Sequence, residues 1–249
     1  MEKIAQLAPW IGTLFASLFS WGMTALGAAT VFLTRKDRMR GSDSLMAVGA
    51  GIMTASSIWS LLIPSLEQSR SLLMPTLGVL LGGAMIQAVE YCLDISDLLY
   101  RKASHKRSFL LVAAVTLHNI PEGMAIGLAF SAEKGAAPWL LALGIALQNF
   151  PEGAAVSLPL RREGFSRQKS FFCGQASGMV EPLAALCAYY LSVNLENALP
   201  FLLAFSAGAM LAVVAGELLP EAAAHSKQQT ISGFLLGFIL MMVLDVALG

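Results

Sequence analysis

Residues 108–130 read SFLLVAAVTLHNIPEGMAIGLAF. A run of about 20 mainly apolar residues is long enough to cross the hydrocarbon core of a bilayer. This run meets that length, yet it carries His118, Asn119 and Glu122 around a proline, Pro121. His118 and Glu122 stand at i and i+4 and therefore project from one face of a helix. Pro121 has no N–H for the Leu117 carbonyl and kinks the helix there. Backbone freed in this way is tolerated at membrane depth only where protein covers it or a wet cavity receives it.

The same arrangement recurs 30 residues later. Residues 136–160 read AAPWLLALGIALQNFPEGAAVSLPL, with Gln148, Asn149 and Glu152 around Pro151. Gly123 and Gly153 follow the two glutamates and let the helices approach closely. If the kinked helices face each other, an imidazole, an amide oxygen and two carboxylates converge. That donor set suits a borderline first-row divalent cation such as Zn²⁺, Fe²⁺ or Mn²⁺. Asn119 and Asn149, about 100° further around their helices, are placed to build an adjacent site. Glu181, followed by Pro182, adds a third intramembrane acid.

Working outward, apolar spans can be read at 8–33, 44–66, 72–97, 108–130, 136–160, 171–193, 198–220 and 230–248. The reading is an all-α membrane protein of eight transmembrane helices, forming one transporter domain over residues 1–249. Composition agrees, with 56% hydrophobic and 13% charged residues and a mean hydropathy of +0.68. Soluble domains carry about 25% charged residues. The zero formal net charge excludes a basic nucleic-acid binder and an acidic disordered chain, so no nucleic-acid partner is expected.

No Lys or Arg lies inside a span. Three connecting loops, 34–43, 98–107 and 161–170, hold four each, and alternate segments are almost bare. By the positive-inside rule these loops are cytoplasmic and both termini lie outside, on the extracellular or periplasmic face of an inner membrane. The first residues do not read as a signal peptide, because the basic cluster follows the apolar run. Acids behave differently: Glu90, Asp94, Asp97, Glu122, Glu152, Glu181, Glu217, Glu221 and Asp245 lie in or at the ends of spans. Intramembrane acids line cavities, bind cations or relay protons. Glu217, Glu221 and Asp245 receive no role from the sequence. Cys92, Cys173 and Cys187 share no C-x-x-C spacing and read as small buried packing residues.

A second internal similarity joins A-G-I-M-T-A at 50–55 to A-G-A-M-L-A at 207–212, each followed by Leu-Leu and a proline. The two segments run in opposite directions through the membrane. Such inverted repeats, here spans 1–3 against 6–8 around a central pair 4–5, are common in secondary transporters with a midplane site.

The paired motifs, with Glu181-Pro182, resemble the ZIP (ZRT/IRT-like) divalent-metal transporters, and Gln148 makes them most like the GufA-type bacterial branch. The resemblance implies import of a divalent metal, Zn²⁺ first and Fe²⁺, Mn²⁺ or Cd²⁺ after it, as transported substrate without an organic cofactor. It implies one metal position at His118, Glu122, Gln148 and Glu152, and a second at Asn119, Asn149, Glu152 and Glu181. Some members have Asp where this chain has Asn149, so the second metal is expected to be weaker or absent. Met53, Ser56 and Ser60 resemble entrance positions of the family, and Glu90 or Asp94 its pathway acid. The loop before span 4, histidine-rich in many members, holds only His105. The expected partners are the metal ion and the lipid bilayer, with a homodimer left open. An elevator-like motion of spans 1, 4, 5 and 6 against 2, 3, 7 and 8 belongs to the same resemblance. The rival readings are an exporter of the same fold and an intramembrane metal-dependent hydrolase. The hydrolase lacks His-Glu-x-x-His and has too few nitrogen ligands, so no enzyme activity is expected.

Overall fold

The computed structural model describes residues 8–33, 42–99, 106–132, 135–224 and 226–248. Eight long helical stretches follow one another among them. They are α1 (Pro9–Leu33), α2 (residues 42–68), α3 (Leu73–Leu99), α4 (Lys106–Ala132), α5 (Ala137–Arg162), α6 (Arg167–Asn194), α7 (residues 199–223) and α8 (Lys227–Leu248). Each coincides with a span read from the sequence. Six of them, all but α4 and α5, are long and apolar enough to cross a membrane by length and composition. The two exceptions are the helices that carry the proline motifs. The basic loops at 34–43 and 98–107 and His105 fall largely outside the described residues.

The polarity of the bundle suits a lipid surround. Phe15, Phe19, Leu26, Leu80, Leu183, Leu236 and Val243 are exposed, whereas Thr13, Ser17, Ser20, Thr24, Asn119, Gln148 and Asn149 are buried. Water would favour the reverse; lipid tails make an exposed leucine costless and drive polar groups inward. Cys92 and Cys187 are exposed and Cys173 half-buried. The expectation of buried packing thus fails for two of the three, because an apolar thiol has no reason to avoid an apolar surround.

Four helix pairs carry most of the packing, α1 with α5, α4 with α6, α2 with α8 and α3 with α7. Glycines set each crossing. A Cβ on Gly153 would collide with the Thr24 carbonyl, and one on Gly27 with the Phe150 carbonyl. Gly123 and Gly127 likewise lie against the backbone of Glu181 and Ala185. Gly51 meets Phe234 and Gly237 meets Val48, while Gly82 meets Phe205 and Gly208 meets Val79.

Three helices depart from α geometry. α2 contains a π-helical turn at Ser57–Leu62 and α7 another at Val214–Leu218, shortly before Pro64 and Pro220. α6 breaks at Gly178 and Met179, between Arg167–Ser177 and Val180–Asn194. Pro182 supplies no N–H to Gly178, whose carbonyl instead accepts from Glu181 N at 3.1 Å, and Glu181 sits in the first turn of the second segment. The α5–α6 connection turns tightly on Gly164, whose φ is +102°, a backbone state glycine adopts without a Cβ penalty. Ser166 then caps α6 by accepting from Lys169 N at 3.2 Å.

Candidate metal centre

Pro121 and Pro151 lie inside α4 and α5 without ending either helix. The Pro121 carbonyl accepts from Ser206 Oγ of α7 at 2.7 Å. The i, i+4 spacing brings the expected residues to the centre of the bundle. Asn119, Glu122, Gln148, Asn149 and Glu181 are fully buried, and His118 is 6% exposed. Glu152 is half-buried.

Two amide–carboxylate pairs organise this interior. Gln148 Nε2 donates to Glu122 Oε1 at 2.8 Å, joining α5 to α4. Asn149 Nδ2 donates to Glu181 Oε1 at 2.8 Å, joining α5 to α6. The same Asn149 nitrogen reaches Ser20 Oγ of α1 at 2.8 Å, and Thr24 Oγ1 donates to Glu181 Oε1 at 3.4 Å. Asn119 Nδ2 turns back to the Val115 carbonyl at 2.8 Å. Every amide nitrogen of the set is therefore satisfied.

The oxygens are not. Asn119 Oδ1, Glu122 Oε2, Gln148 Oε1, Asn149 Oδ1 and Glu181 Oε2 are buried and accept no hydrogen bond. Leaving a buried polar atom unpaired is costly. Five acceptors sharing one interior can be satisfied together only by cations, protons or water. Glu122 also has Glu152 and Glu181 as electrostatic neighbours, so three carboxyl groups share this interior.

His118 takes a different partner. Its Nδ1 lies 3.4 Å from Glu217 Oε2 of α7, and Glu90 of α3 offers a carboxylate oxygen so that all three ligand atoms fall within 4.8 Å of one another. A cavity of about 50 Å³ joins the two groups; His118, Gln148, Glu152 and Glu217 line it with Met46, Gly49 and Leu218.

The expected entrance residues behave less uniformly. Met53 is 1% exposed and packs in the apolar core with Leu128, Ile145 and Met210. Ser56 is buried and donates to the Ile52 carbonyl at 3.0 Å. Ser60 is half-buried and donates to Asp245 Oδ1 of α8 at 2.8 Å. The side chain of Asp94 lies outside the described residues.

Sequence reasoning had passed over Ser20 and Thr24 and had left Glu217 without a role. Thr13, Ser17, Ser20 and Thr24 recur at spacings of four and three along α1. That hydroxyl stripe in an apolar helix was the available signal for a polar interior face.

The family model described as ZIP Zinc transporter matches residues 95–245. The zinc transporter GufA of Myxococcus xanthus is 35% identical over 95% of this chain and 98% of its own length. The zinc transporter ZIP11 of Homo sapiens is 33% identical over 95% of this chain and 97% of its own. The zinc transporter ZIPB of Bordetella bronchiseptica is 34% identical over 91% and 78%.

Proposed function

This chain belongs to the ZIP zinc-transporter family, and from that premise we propose that Zn²⁺ or a similar divalent cation crosses the membrane between α4 and α5. It is a transporter, not an enzyme, and it moves divalent metal through a multi-pass membrane domain. The cation is held by His118, Glu122, Gln148 and Glu152, with Asn119, Asn149, Glu152 and Glu181 as the adjoining, weaker position. One observation carries this reading: five buried acceptor oxygens of these residues have no donor, while the amide nitrogens beside them are all engaged. Imidazole and carboxylate ligands suit zinc-like ions, and carboxylates offset the charge of a dication.

The eight helices span the membrane with both termini outside, and metal moves inward. Supporting this is the separation of basic loops from the acidic interior. The repeat between α2 and α7 draws support from their π-helical turns, which fall 157 residues apart at Ser57 and Val214, as do the similar segments beginning at Ala50 and Ala207. The glycine crossings fit as well: Gly123 meets Glu181 and Gly153 meets Thr24. Those pairs are related by the 30-residue offset of the motifs and by the same 157-residue offset between α1 and α6.

Transport requires α1, α4, α5 and α6 to move against α2, α3, α7 and α8. The glycines that meet a neighbouring backbone, Gly27, Gly51, Gly82, Gly123, Gly127, Gly153, Gly208 and Gly237, join helices within each of these groups, whereas Gly144 of α5 meets the Met241 side chain of α8 across them. With Met53 buried on one side of the site and the cavity on the other, this state opens toward the cytoplasm. Zn²⁺ uptake into proteoliposomes tests the assignment. It should collapse in Glu152→Ala and in His118→Ala; unchanged uptake would remove these residues from the path.

A further inference from the structure

We propose that Ser20 and Thr24 of α1 are positioning residues of the transport site, whose hydroxyls hold the Asn149–Glu181 pair so that its two free oxygens stay turned to the cation. The inference rests on the transport reading above and adds to it a helix that brings no ligand of its own. α1 (Pro9–Leu33) carries no acid, histidine or amide side chain. It reaches the centre of the bundle through hydroxyls.

The hydroxyls of α1 divide by partner. A serine or threonine inside a helix ordinarily returns its proton to a carbonyl three or four residues back. Thr13 donates to the Pro9 carbonyl at 3.0 Å and Ser17 to the Thr13 carbonyl at 2.8 Å. Thr54 of α2 and Thr116 of α4 do the same with Ala50 and Val112. Ser20 and Thr24 turn to other helices instead. Thr24 Oγ1 donates to Glu181 Oε1 of α6 at 3.4 Å. Ser20 Oγ accepts from Asn149 Nδ2 of α5 at 2.8 Å and hydrogen-bonds the Glu181 carboxyl group in turn. Both side chains are fully buried.

Glu181 Oε1 thus gathers donors from two helices, Thr24 of α1 and Asn149 of α5. Glu181 Oε2 and Asn149 Oδ1 are left buried without a donor. The Asn149 nitrogen is fixed between Ser20 and Glu181, and a flipped amide would set its oxygen against a carboxylate oxygen. Held this way, Asn149 offers an ion its oxygen and not its nitrogen. The backbone around the hydroxyls is shaped to admit them. A Cβ on Gly178, at the break of α6, would stand 2.9 Å from Thr24 Oγ1 and 3.1 Å from Glu181 Oε1. Gly153, next to Glu152, lies against the Thr24 carbonyl. Ligands fixed before the ion arrives lose less freedom on binding, and losing an outer partner of a metal ligand costs typically about 10–100-fold in affinity or activity.

The test is Zn²⁺ uptake by the full-length protein in proteoliposomes, with half-saturating concentration and maximal rate read separately. Thr24→Val keeps the side-chain shape and removes one hydroxyl; Ser20→Ala removes the other. Elution profile and melting temperature establish that each is folded, and where one is not, the other carries the test. Each should raise the half-saturating Zn²⁺ concentration about tenfold and leave the maximal rate within about twofold of wild type. Thr24→Ser restores the donor and should match wild type. Ser17→Ala, whose hydroxyl serves its own helix, should match it too. Unchanged half-saturation in the folded variants would overturn the positioning role, as would loss of folding in both. So would failure of Thr24→Ser to rescue, which would make packing of the Thr24 methyl group the cause, or an equal rise in Ser17→Ala. Uptake unaffected by His118→Ala and Glu152→Ala would remove the transport site itself, and this role with it.

Discussion

Asn149 donates its amide hydrogen to the Glu181 carboxylate at 2.8 Å, tying α5 to the second segment of α6 across the middle of the bundle. A neutral donor there neutralises nothing, yet it lets a buried carboxylate stand without a cation. Asn149→Asp would exchange that hydrogen bond for a second negative charge. The variant should melt a few degrees lower than wild type in metal-free buffer and show a larger Zn²⁺-induced rise, because only a cation then reconciles the two acids. Equal Zn²⁺-induced shifts in both proteins would count against a second metal position.

His118→Ala and Glu152→Ala remove ligands rather than neighbours. Each should lower the initial rate of Zn²⁺ uptake at sub-saturating metal at least about tenfold, since even outer-shell losses cost 10–100-fold in metal affinity. Gln148→Ala, which removes a neutral ligand and frees Glu122, should cost less. Equal losses in all three would point to disruption of folding, which a melting curve would reveal.

Acidification should weaken transport through the binding step. Carboxylate and imidazole ligands must be deprotonated to hold a metal, so protons compete with the cation. The half-saturating Zn²⁺ concentration should rise several-fold between pH 7.5 and pH 5.5, with a smaller change in maximal rate. A half-saturation that stays constant would exclude protonation of the ligands in this range.

Crossing glycines should be intolerant where open ones are not. Gly153→Ala places a methyl group into the Thr24 carbonyl, and overpacking of this kind costs typically about 1–3 kcal/mol. Gly22→Ala meets nothing within 4 Å and should be neutral in melting temperature and uptake. Similar behaviour of the two would mean that α1 and α5 do not cross as described.

Cysteine accessibility checks the orientation and the open side. In a background with Cys92, Cys173 and Cys187 replaced by serine, Ala155→Cys and Leu218→Cys border the cavity. Both should react with a membrane-impermeant maleimide supplied from the cytoplasmic face. Met53→Cys, packed in the core, should stay protected from either side. Labelling of Ala155→Cys only from outside would invert the assigned topology.

Much of this was legible because it depends on local chemistry. Spans 8–33 to 230–248 appear as runs of apolar residues, since lipid selects side chains one by one and needs no distant partner. The membership in a transporter family followed from the motifs around the two prolines.

Other features depend on which helices touch. His118 lies 3.4 Å from Glu217, 99 positions away in the chain. Ser20 and Thr24 join the centre only because Gly153 lets α1 lie against α5. Met53 and Ser56, spaced like an open entrance, are closed over by the core in this state. The sequence by itself determined the apolar helices, the acids set within them and the kind of ion they suit, for these are properties of residues and their spacing along one helix. Only the tertiary structure decided which oxygens are left without donors and which acid faces the imidazole. Those depend on close approach between distant segments, and a pattern of spacings carries no distance between helices.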